Sequence, residues 1–453
     1  MTRAPTGLSQ RALWDWIGAG TLAALLACFG VADQMLVLGS RDGGWTYGYV
    51  GPFFPGALAA AAAAAGLAAV LVYGSGNRQW PALLAWLLFA FGIQALVRSV
   101  APLGLEPIFA SDNANGFYGV TRLVGPGEAL RDFDRLRTSW PLHANSNMPG
   151  KLLFLYALEM LTRHPAALAW LVVFVSNAGA VLMYVLVQDL FADSRAALYS
   201  AILYLLVPAK LFFMPLLNTV TPVVALASAV LLVKWLGTAR ASFAAALGAS
   251  LFVLVLFEPL PLVMGLLFAL LTVRAAWLGQ ITGRQILSHV AIGAAAWAAA
   301  YGAMRLLTGF DALGAFRQLQ QEAVRFNDAV GRPYLVWVGA NLFEFLFGAG
   351  VCQVLLVGAA LADGWRQGGT WRERATQPIL VVSVGVLLVL LVTDVLGINR
   401  GEVTRLWVFL ACFFQIPAAY VCGRLENRGA LILVSAVTIL QATLGTAMIG
   451  FAG

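Results

Sequence analysis

Charge is scarce in this sequence. Of its 453 residues only 11% are charged, whereas 61% are hydrophobic, and the mean hydropathy is +0.84. A soluble fold cannot bury so much apolar surface, so the lipid bilayer must solvate most of the chain. Long Leu-, Ala- and Val-rich runs, without the short alternating strands of a barrel, predict an all-α polytopic membrane protein.

Cysteine and histidine are scarce too. The 4 cysteines lie in or beside apolar runs without CxxC spacing, which argues against a disulfide framework. The 3 histidines are scattered along the chain and do not indicate a zinc cluster. The net charge of +7 comes largely from arginines near the ends of apolar runs, and no basic cluster is interleaved with exposed aromatics, so no nucleic-acid partner is predicted.

About thirteen apolar runs are long enough to cross a bilayer, since a span needs about 20 residues. They are 12–32, 53–73, 81–101, 164–188, 195–214, 216–236, two runs within 241–276, then 286–307, 336–361, 377–394, 405–423 and 429–451. The stretch 241–276 is too long for one helix, and Glu258-Pro259-Leu260-Pro261 divides it into a hairpin. The shorter run 151–162 is predicted to lie along the membrane surface.

Arginines mark alternate connections between these spans. They are Arg3, Arg11, Arg78, Arg195, Arg240, Arg274, Arg284, Arg366, Arg372, Arg374, Arg424 and Arg428. By the positive-inside rule these connections are cytoplasmic, with the N-terminus inside and the C-terminus outside. The loop 102–163, the turn at Glu258, the loop 308–335 and the segment 394–405 then share the outer face. We expect them to form one composite site.

The loop 102–163 holds the densest group of polar side chains, between Glu106 and Lys151. These are Asp112, Asn113, Asn115, Tyr118, Arg122, Asp132, Asp134, His143, Asn145, Asn147 and Lys151. Lipid cannot solvate such groups, so they must contact water, each other or a ligand. The concentration of ionisable and amide groups in one loop predicts chemistry or ligand binding at the membrane surface.

The order of residues in this loop resembles a known family. Asp112 is followed by Tyr118, then His143 leads into Met148-Pro149-Gly150-Lys151, and Gly401-Glu402-Val403-Thr404-Arg405 begins a late span. This layout resembles the GT-C superfamily of membrane glycosyltransferases, which take sugars from polyprenyl-phosphate donors. The resemblance covers about residues 81–423, which divides the chain into an N-terminal transmembrane hairpin (1–80), a GT-C-like module (81–423) and a C-terminal helix (424–453). No second acidic residue pairs with Asp112 as in many members.

The resemblance implies roles for individual side chains. Asp112 becomes the general base that takes the proton of the acceptor hydroxyl; alternatively it caps a short helix. Lys151, Arg400 and Arg405 become the groups that hold the lipid phosphate. The alternatives are that Lys151 and Arg405 snorkel at span ends, and that Arg405 forms an i,i+3 salt bridge with Glu402.

The remaining candidates are assigned to substrate binding. His143 is expected to contact the ligand or orient the acceptor, rather than serve only as a hydrogen-bonded loop residue. Glu258 is expected either to contact substrate or to be solvated at its hairpin tip. The other substrate-binding candidates are Asn113, Asn115, Tyr118 and Glu402. No metal site is predicted, because Asp112 and His143 alone do not make a divalent-cation site, and no other cofactor is indicated.

The expected partners are therefore a polyprenyl-phosphate-linked sugar, a lipid-linked glycan, glycolipid or protein acceptor, and membrane lipids. The abundance of Ala, Gly and Arg suggests a bacterial inner membrane, with the site facing the periplasm or exterior. Two alternatives stay open. A transporter or flippase would place polar groups along a path through the bilayer and contain internal repeats. A non-catalytic membrane assembly protein would leave the polar loop without a chemical role.

Overall fold

A computed structural model describes residues 7–74 and 79–451 of the chain. Arg3 and Arg78, which the sequence places in the cytoplasm, lie outside these residues. Regular structure in the described residues is almost entirely helical, with one pair of two-residue strands, Gly39–Ser40 and Trp45–Thr46. The prediction of an all-α polytopic membrane protein is confirmed.

Within the described residues, 10 helices are long and apolar enough to cross a membrane. They are Gln10–Ala32, Pro55–Gly74, Gln79–Arg98, Pro165–Phe191, Ser194–Phe212, Leu217–Thr238, Leu260–Trp277, Gly283–Thr308, Pro378–Val395 and Gly429–Met448. The helix pair Tyr334–Ala349 and Val351–Gln367 raises the number to 11 if it is one span. Two shorter apolar helices, Ala241–Phe257 and Val408–Arg424, coincide with the remaining predicted spans, so the predicted number of about thirteen stays a prediction.

Local sequence signals begin and end these helices. Pro165 starts Pro165–Phe191 in the first turn, where its missing N–H costs no hydrogen bond. That helix ends at Ala192, whose φ of 53° is left-handed, and the carboxylate of Asp193 then caps the next helix by accepting from two of its first backbone amides. A capping box between Thr282 and Gln285 starts Gly283–Thr308 in the same way.

One predicted span is sharply bent. The run 336–361 forms the two helices Tyr334–Ala349 and Val351–Gln367, which meet at 96° at Gly350. Gly350 has a φ of 101°, which favours glycine. Buried glutamines satisfy the backbone groups freed by the break: Gln441 accepts from the first amide after the glycine at 3.2 Å and donates to a carbonyl three residues before it at 2.6 Å. Gln415 donates to the carbonyl just before the glycine at 2.9 Å.

Polar contacts identify the two ends of the helical bundle. At one end Asp363, which is fully buried, accepts from the backbone N–H of Leu8 at 2.6 Å and pairs with Arg424 at 3.3 Å. The other end, called the loop end below, carries residues 102–163. The helices of the predicted N-terminal hairpin pack into the main core, where Gln10–Ala32 and Pro55–Gly74 both contact Gly429–Met448.

Short helices fill the loop end. They are Leu105–Ala110, Phe117–Leu123, Pro126–Arg131, Phe133–Leu136, the 3-10 turn Arg137–Ser139, Leu142–Asn145 and Gly150–Glu159, with Ala312–Ala329 from the later loop. The helix Gly150–Glu159 covers most of the run 151–162 that is predicted to lie along the membrane surface. A side chain at Gly150 would overlap the carbonyl of Leu256, so glycine allows this helix to approach the end of Ala241–Phe257 closely.

Candidate functional site

Four segments that are distant in the chain line one cavity of about 360 Å³ at the loop end. They are the loop 102–163, the turn after Ala241–Phe257, the helix Ala312–Ala329 with the residues after it, and the segment 398–406; Asn218, in the 3-10 turn Leu217–Val220, also borders the cavity. The polar side chains lining the cavity include Asn115, His143, Asn145, Asn147, Asn218, Glu258, Gln320, Glu322, Asn327, Arg332, Asn399, Arg400, Glu402 and Arg405. The four polar elements expected on one face therefore do come together.

Glu402 is paired with two of the arginines that line the cavity. Arg332 contacts one of its carboxylate oxygens at 3.4 Å, and Arg405 contacts the other at 3.1 Å. Two guanidinium groups thus share one carboxylate. Arg400 and Arg332 also donate to each other's backbone carbonyls, at 2.8 and 2.6 Å. The φ of Glu402 is 59°, a left-handed conformation that is costly for a non-glycine residue, so the surrounding contacts must hold it.

Arg405 has a second, unusual neighbour. Its Nη1 lies 3.0 Å from Nε2 of His143, and its Nη2 lies 3.1 Å from Nδ1 of the same ring. Burial lowers the pKa of His143 to about 3, with Arg405 and Lys151 adding to the effect, so the ring is neutral at neutral pH. Nε of Arg405 is buried and has no hydrogen-bond partner among the described residues. One donor of this guanidinium is therefore unused.

Lys151 and Glu258 form a buried pair beneath the cavity. Nζ of Lys151 lies 2.9 Å from the Glu258 carboxylate and 3.0 Å from Oδ1 of Asn147. Thr221 donates to the same Glu258 oxygen at 2.6 Å. Lys151 is 0% exposed and does not line the cavity. In the structure Lys151 thus lies away from the cavity and compensates the charge of Glu258, which does line it.

The helix Ala312–Ala329 closes one side of the cavity. Glu322 on this helix accepts from both terminal nitrogens of Arg137, at 2.8 and 2.6 Å. These hydrogen bonds hold the pKa of Glu322 below its usual range. Arg137 itself is 1% exposed, and its second partner is Asn145 at 3.0 Å. The ion pair therefore joins this helix to the loop 102–163 across the cavity wall.

Asp112 lies in an adjoining cavity and not with the arginines. That second cavity has a volume of about 700 Å³ and is lined by Asp112, Asn113, Gly119, Val120, Leu123, Val124, Leu136, Ser139, Trp140, Pro141 and Leu142. Leu142 lines both cavities and so belongs to the wall between them. Asp112 is exposed, and the oxygen that caps the local turn belongs to Ser111, which accepts from Ala114 at 3.1 Å. The alternative role of Asp112 as a cap is not observed.

Two other predicted ligand contacts have structural partners. Asn115 is 2% exposed and donates to the carbonyl of Phe109 at 2.8 Å, although it borders the first cavity. Tyr118 borders neither of the two cavities; its hydroxyl donates to the carbonyl of Arg163 at 3.3 Å, and Arg122 stacks on its ring at 4.5 Å. Tyr118 therefore joins the start of the loop 102–163 to its end.

Sequence reasoning missed Arg332 and Glu322 as site residues. Arg332 lies among aromatic rings, with its guanidinium carbon 5.4 Å from the Trp45 ring and 5.6 Å from that of Trp337. The sequence signal for both was their place in the outer loop 308–335, which the arginine pattern assigns to the same face as the other polar segments. In the part of the chain that the structure describes, no group of three or more His, Cys, Asp or Glu side chains could hold a metal ion.

The loop end thus combines an arginine-rich cavity, a neutral histidine and an adjoining cavity with an exposed carboxylate. No protein-family model and no curated protein matches the chain.

Proposed function

We propose that this protein is a GT-C-like membrane glycosyltransferase that moves a sugar from a polyprenyl-phosphate donor to a lipid-linked glycan, glycolipid or protein. The observation that carries the proposal is the pair of guanidinium groups on one carboxylate, in a cavity at the end of a membrane bundle. We infer that the site faces the periplasm or exterior of a bacterial inner membrane, because the positive-inside rule assigns the arginine-rich connections to the cytoplasm.

The local charge balance favours an anionic ligand. Around Glu402, Arg332 and Arg405 leave one positive charge uncompensated, and His143 adds none because its ring is neutral. A phosphate would accept charge-assisted hydrogen bonds from Arg405 and from Arg400, which also lines the cavity and lies 3.2 Å from the exposed carboxylate of Asp328. The same groups would stabilise the negative charge that builds up on the departing lipid phosphate during transfer.

The wall shared by the two cavities suggests how the reaction is arranged. The donor phosphate occupies the arginine cavity, and the acceptor hydroxyl enters the cavity that contains Asp112. Asp112 takes the hydroxyl proton while the acceptor oxygen bonds to the anomeric carbon and the bond from that carbon to the phosphate oxygen breaks. The departing lipid phosphate keeps the electron pair. Trp140 offers an aromatic face in the acceptor cavity.

The proposal is tested by transfer assays in nanodiscs with a radiolabelled polyprenyl-phosphate sugar and a membrane-lipid extract as acceptor. Wild-type protein is expected to form a labelled product, and Asp112→Asn to lose about 10²- to 10⁴-fold in rate while binding donor normally. The matched control is Asp132→Asn, a half-buried carboxylate in the same loop that lines neither cavity. No labelled product with any of several donor sugars would reject the proposal; full activity of Asp112→Asn would remove only the assigned base.

Transport of an anionic or lipid-linked substrate is the second candidate. The observation in its favour is the break at Gly350, since interrupted helices line the binding sites of many transporters. The glutamines around that break bind backbone groups of the break itself, which leaves the break with a structural explanation. Movement of labelled polyprenyl phosphate across proteoliposome membranes, without sugar transfer, would favour this candidate.

A further inference from the structure

A second, apolar crevice lies between the helix end at Arg98 and the segment that follows Gly429–Met448. Its volume is about 120 Å³, and it shares no lining residue with the arginine cavity. Its lining residues are Val50, Arg98, Ala101, Pro102, Leu103, Ile108, Phe212, Thr446, Ile449, Gly450 and Phe451. The crevice is therefore separate from the proposed transferase site.

Two polar atoms on lining residues of this crevice are buried without a partner. Nε of Arg98 has no hydrogen-bond acceptor among the described residues, although Nη2 donates to the carbonyl of Leu103 at 2.8 Å. Oγ1 of Thr446 also has no partner within the described chain, and Thr446 is 3% exposed. Thr438 and Thr443 in the same helix each donate to the carbonyl four residues before them, at 2.6 and 2.7 Å, so Thr446 departs from its neighbours.

The charge of Arg98 is also unbalanced. No carboxylate of the described residues forms a salt bridge with it, so its positive charge is half-buried without a counter-ion. Burial of a charge without a partner is costly unless an anion is supplied from outside.

The apolar part of the crevice matches a hydrocarbon chain. Its floor is formed by Phe212 and Ile108, which are 1% and 2% exposed. Its rim includes Val50 and Leu103, which are 47% and 42% exposed. Arg98 is the last residue of Gln79–Arg98, which places it at the depth where a bilayer changes from hydrocarbon to head groups.

We propose that this crevice binds one anionic phospholipid of the surrounding membrane. The lipid phosphate pairs with Arg98, an ester oxygen accepts from the Thr446 hydroxyl, and the first part of one acyl chain fills the floor of the crevice. A free phosphate would satisfy Arg98 but leave the apolar floor empty. The proposal does not depend on the transferase reaction.

The test measures retained lipid by native mass spectrometry after the full chain is purified from nanodiscs of equal phosphatidylglycerol and phosphatidylcholine. We expect wild-type protein to keep one phosphatidylglycerol, and Arg98→Gln to reduce its occupancy about tenfold, as for loss of one charge-assisted hydrogen bond. Arg305→Gln is the control, because Arg305 also lies near the end of a span but is 57% exposed. It is expected to retain the lipid.

A second variant keeps the proposal testable if Arg98→Gln does not fold. Val50→Trp leaves the arginine in place and fills the mouth of the crevice from an exposed position, so it should also lose the lipid. Equal retention of both lipids by wild-type protein, or unchanged retention in Val50→Trp, would overturn the proposal. Displacement of the lipid by soluble glycerol phosphate at equal concentration would show that the site recognises the phosphate alone, which also rejects it.

Discussion

Replacement of Arg405 by glutamine tests the arginine cavity most directly. Arg405→Gln removes one of the two guanidinium groups that share Glu402, and with it the contact to His143. The fold is expected to persist, because Glu402 keeps its pairing with Arg332 at 3.4 Å. The net positive charge around Glu402 disappears, so the cavity should bind a phosphate more weakly.

The size of the effect follows from the number of contacts removed. A hydrogen bond to a charged group contributes about 1.5–3 kcal/mol, which corresponds to a loss of about 10- to 150-fold in affinity for a polyprenyl phosphate. The upper part of that range is expected, because Glu402 would then be fully matched by Arg332 and would no longer leave a positive charge for the ligand. Arg405→Lys should recover part of the affinity, since it restores the charge without the planar fork.

The assay is equilibrium binding of radiolabelled polyprenyl phosphate to the protein in nanodiscs. Arg135→Gln is the matched control: it removes the same charge from the loop end, but its side chain is 72% exposed and lines neither cavity. The control should bind as wild type does. If Arg405→Gln bound donor within about twofold of the control, the assignment of the phosphate to this cavity would be wrong, and Arg405 would be a structural partner of Glu402.

Three further predictions concern stability. The pKa of His143 is about 3 in the folded protein against 6.5 ordinarily. The stability gained from its neutral ring is therefore complete above pH 6.5 and is lost as the pH falls towards 3. His143→Gln should make the fall in Tm over that interval smaller. Gly350→Ala should lower the free energy of unfolding by about 1–3 kcal/mol, because φ is 101° and the new methyl group would overlap Gln353. Lys151→Met should cost about 3–5 kcal/mol by leaving the buried carboxylate of Glu258 without its counter-charge.

Each of these has its own control. The fall in Tm between pH 6.5 and 3 should be the same in His164→Gln as in the wild type, since His164 lies outside the cavity. Gly339→Ala changes a glycine of the same bent pair with open space around it, and it should leave Tm unchanged or slightly raise it, since alanine favours a helix more than glycine does. Lys151→Met combined with Glu258→Gln should recover most of the lost stability. If the double variant were no more stable than Lys151→Met, charge compensation would not explain the pair.

The membrane-spanning runs could be predicted from the sequence, because hydropathy depends on composition over a window of about 20 residues. The bend at Gly350 could not be predicted. The run 336–361 has the same apolar pattern whether it is straight or broken, and the hydrogen bonds that stabilise the break come from Gln415 and Gln441, far along the chain. A local pattern does not reveal partners that only the tertiary structure brings near.

The sequence predicted which segments form the candidate site, but it did not predict most of the contacts between their side chains. Charge patterning placed four loops on one face, and these loops do meet. The neighbourhood of each side chain depended on packing. Lys151 is turned inward to Glu258 by the helix that begins at Gly150, and Asp112 borders a different cavity from Arg405. Arg332 was overlooked because a lone arginine in a surface loop gives no sign of a distant carboxylate partner.

The hydrogen bonds around Gly350 also have a consequence for biogenesis. Gln441 belongs to Gly429–Met448, which the ribosome makes after the bent pair, and Gln415 belongs to the helix before that. In lipid, an unsatisfied backbone group costs several kcal/mol. While the chain is still being inserted, residues 334–367 therefore gain more from an unbroken helix that satisfies its own backbone. The 96° kink becomes the favoured form when Gln415 and Gln441 arrive, so the insertion of Gly429–Met448 gives this region its bent shape.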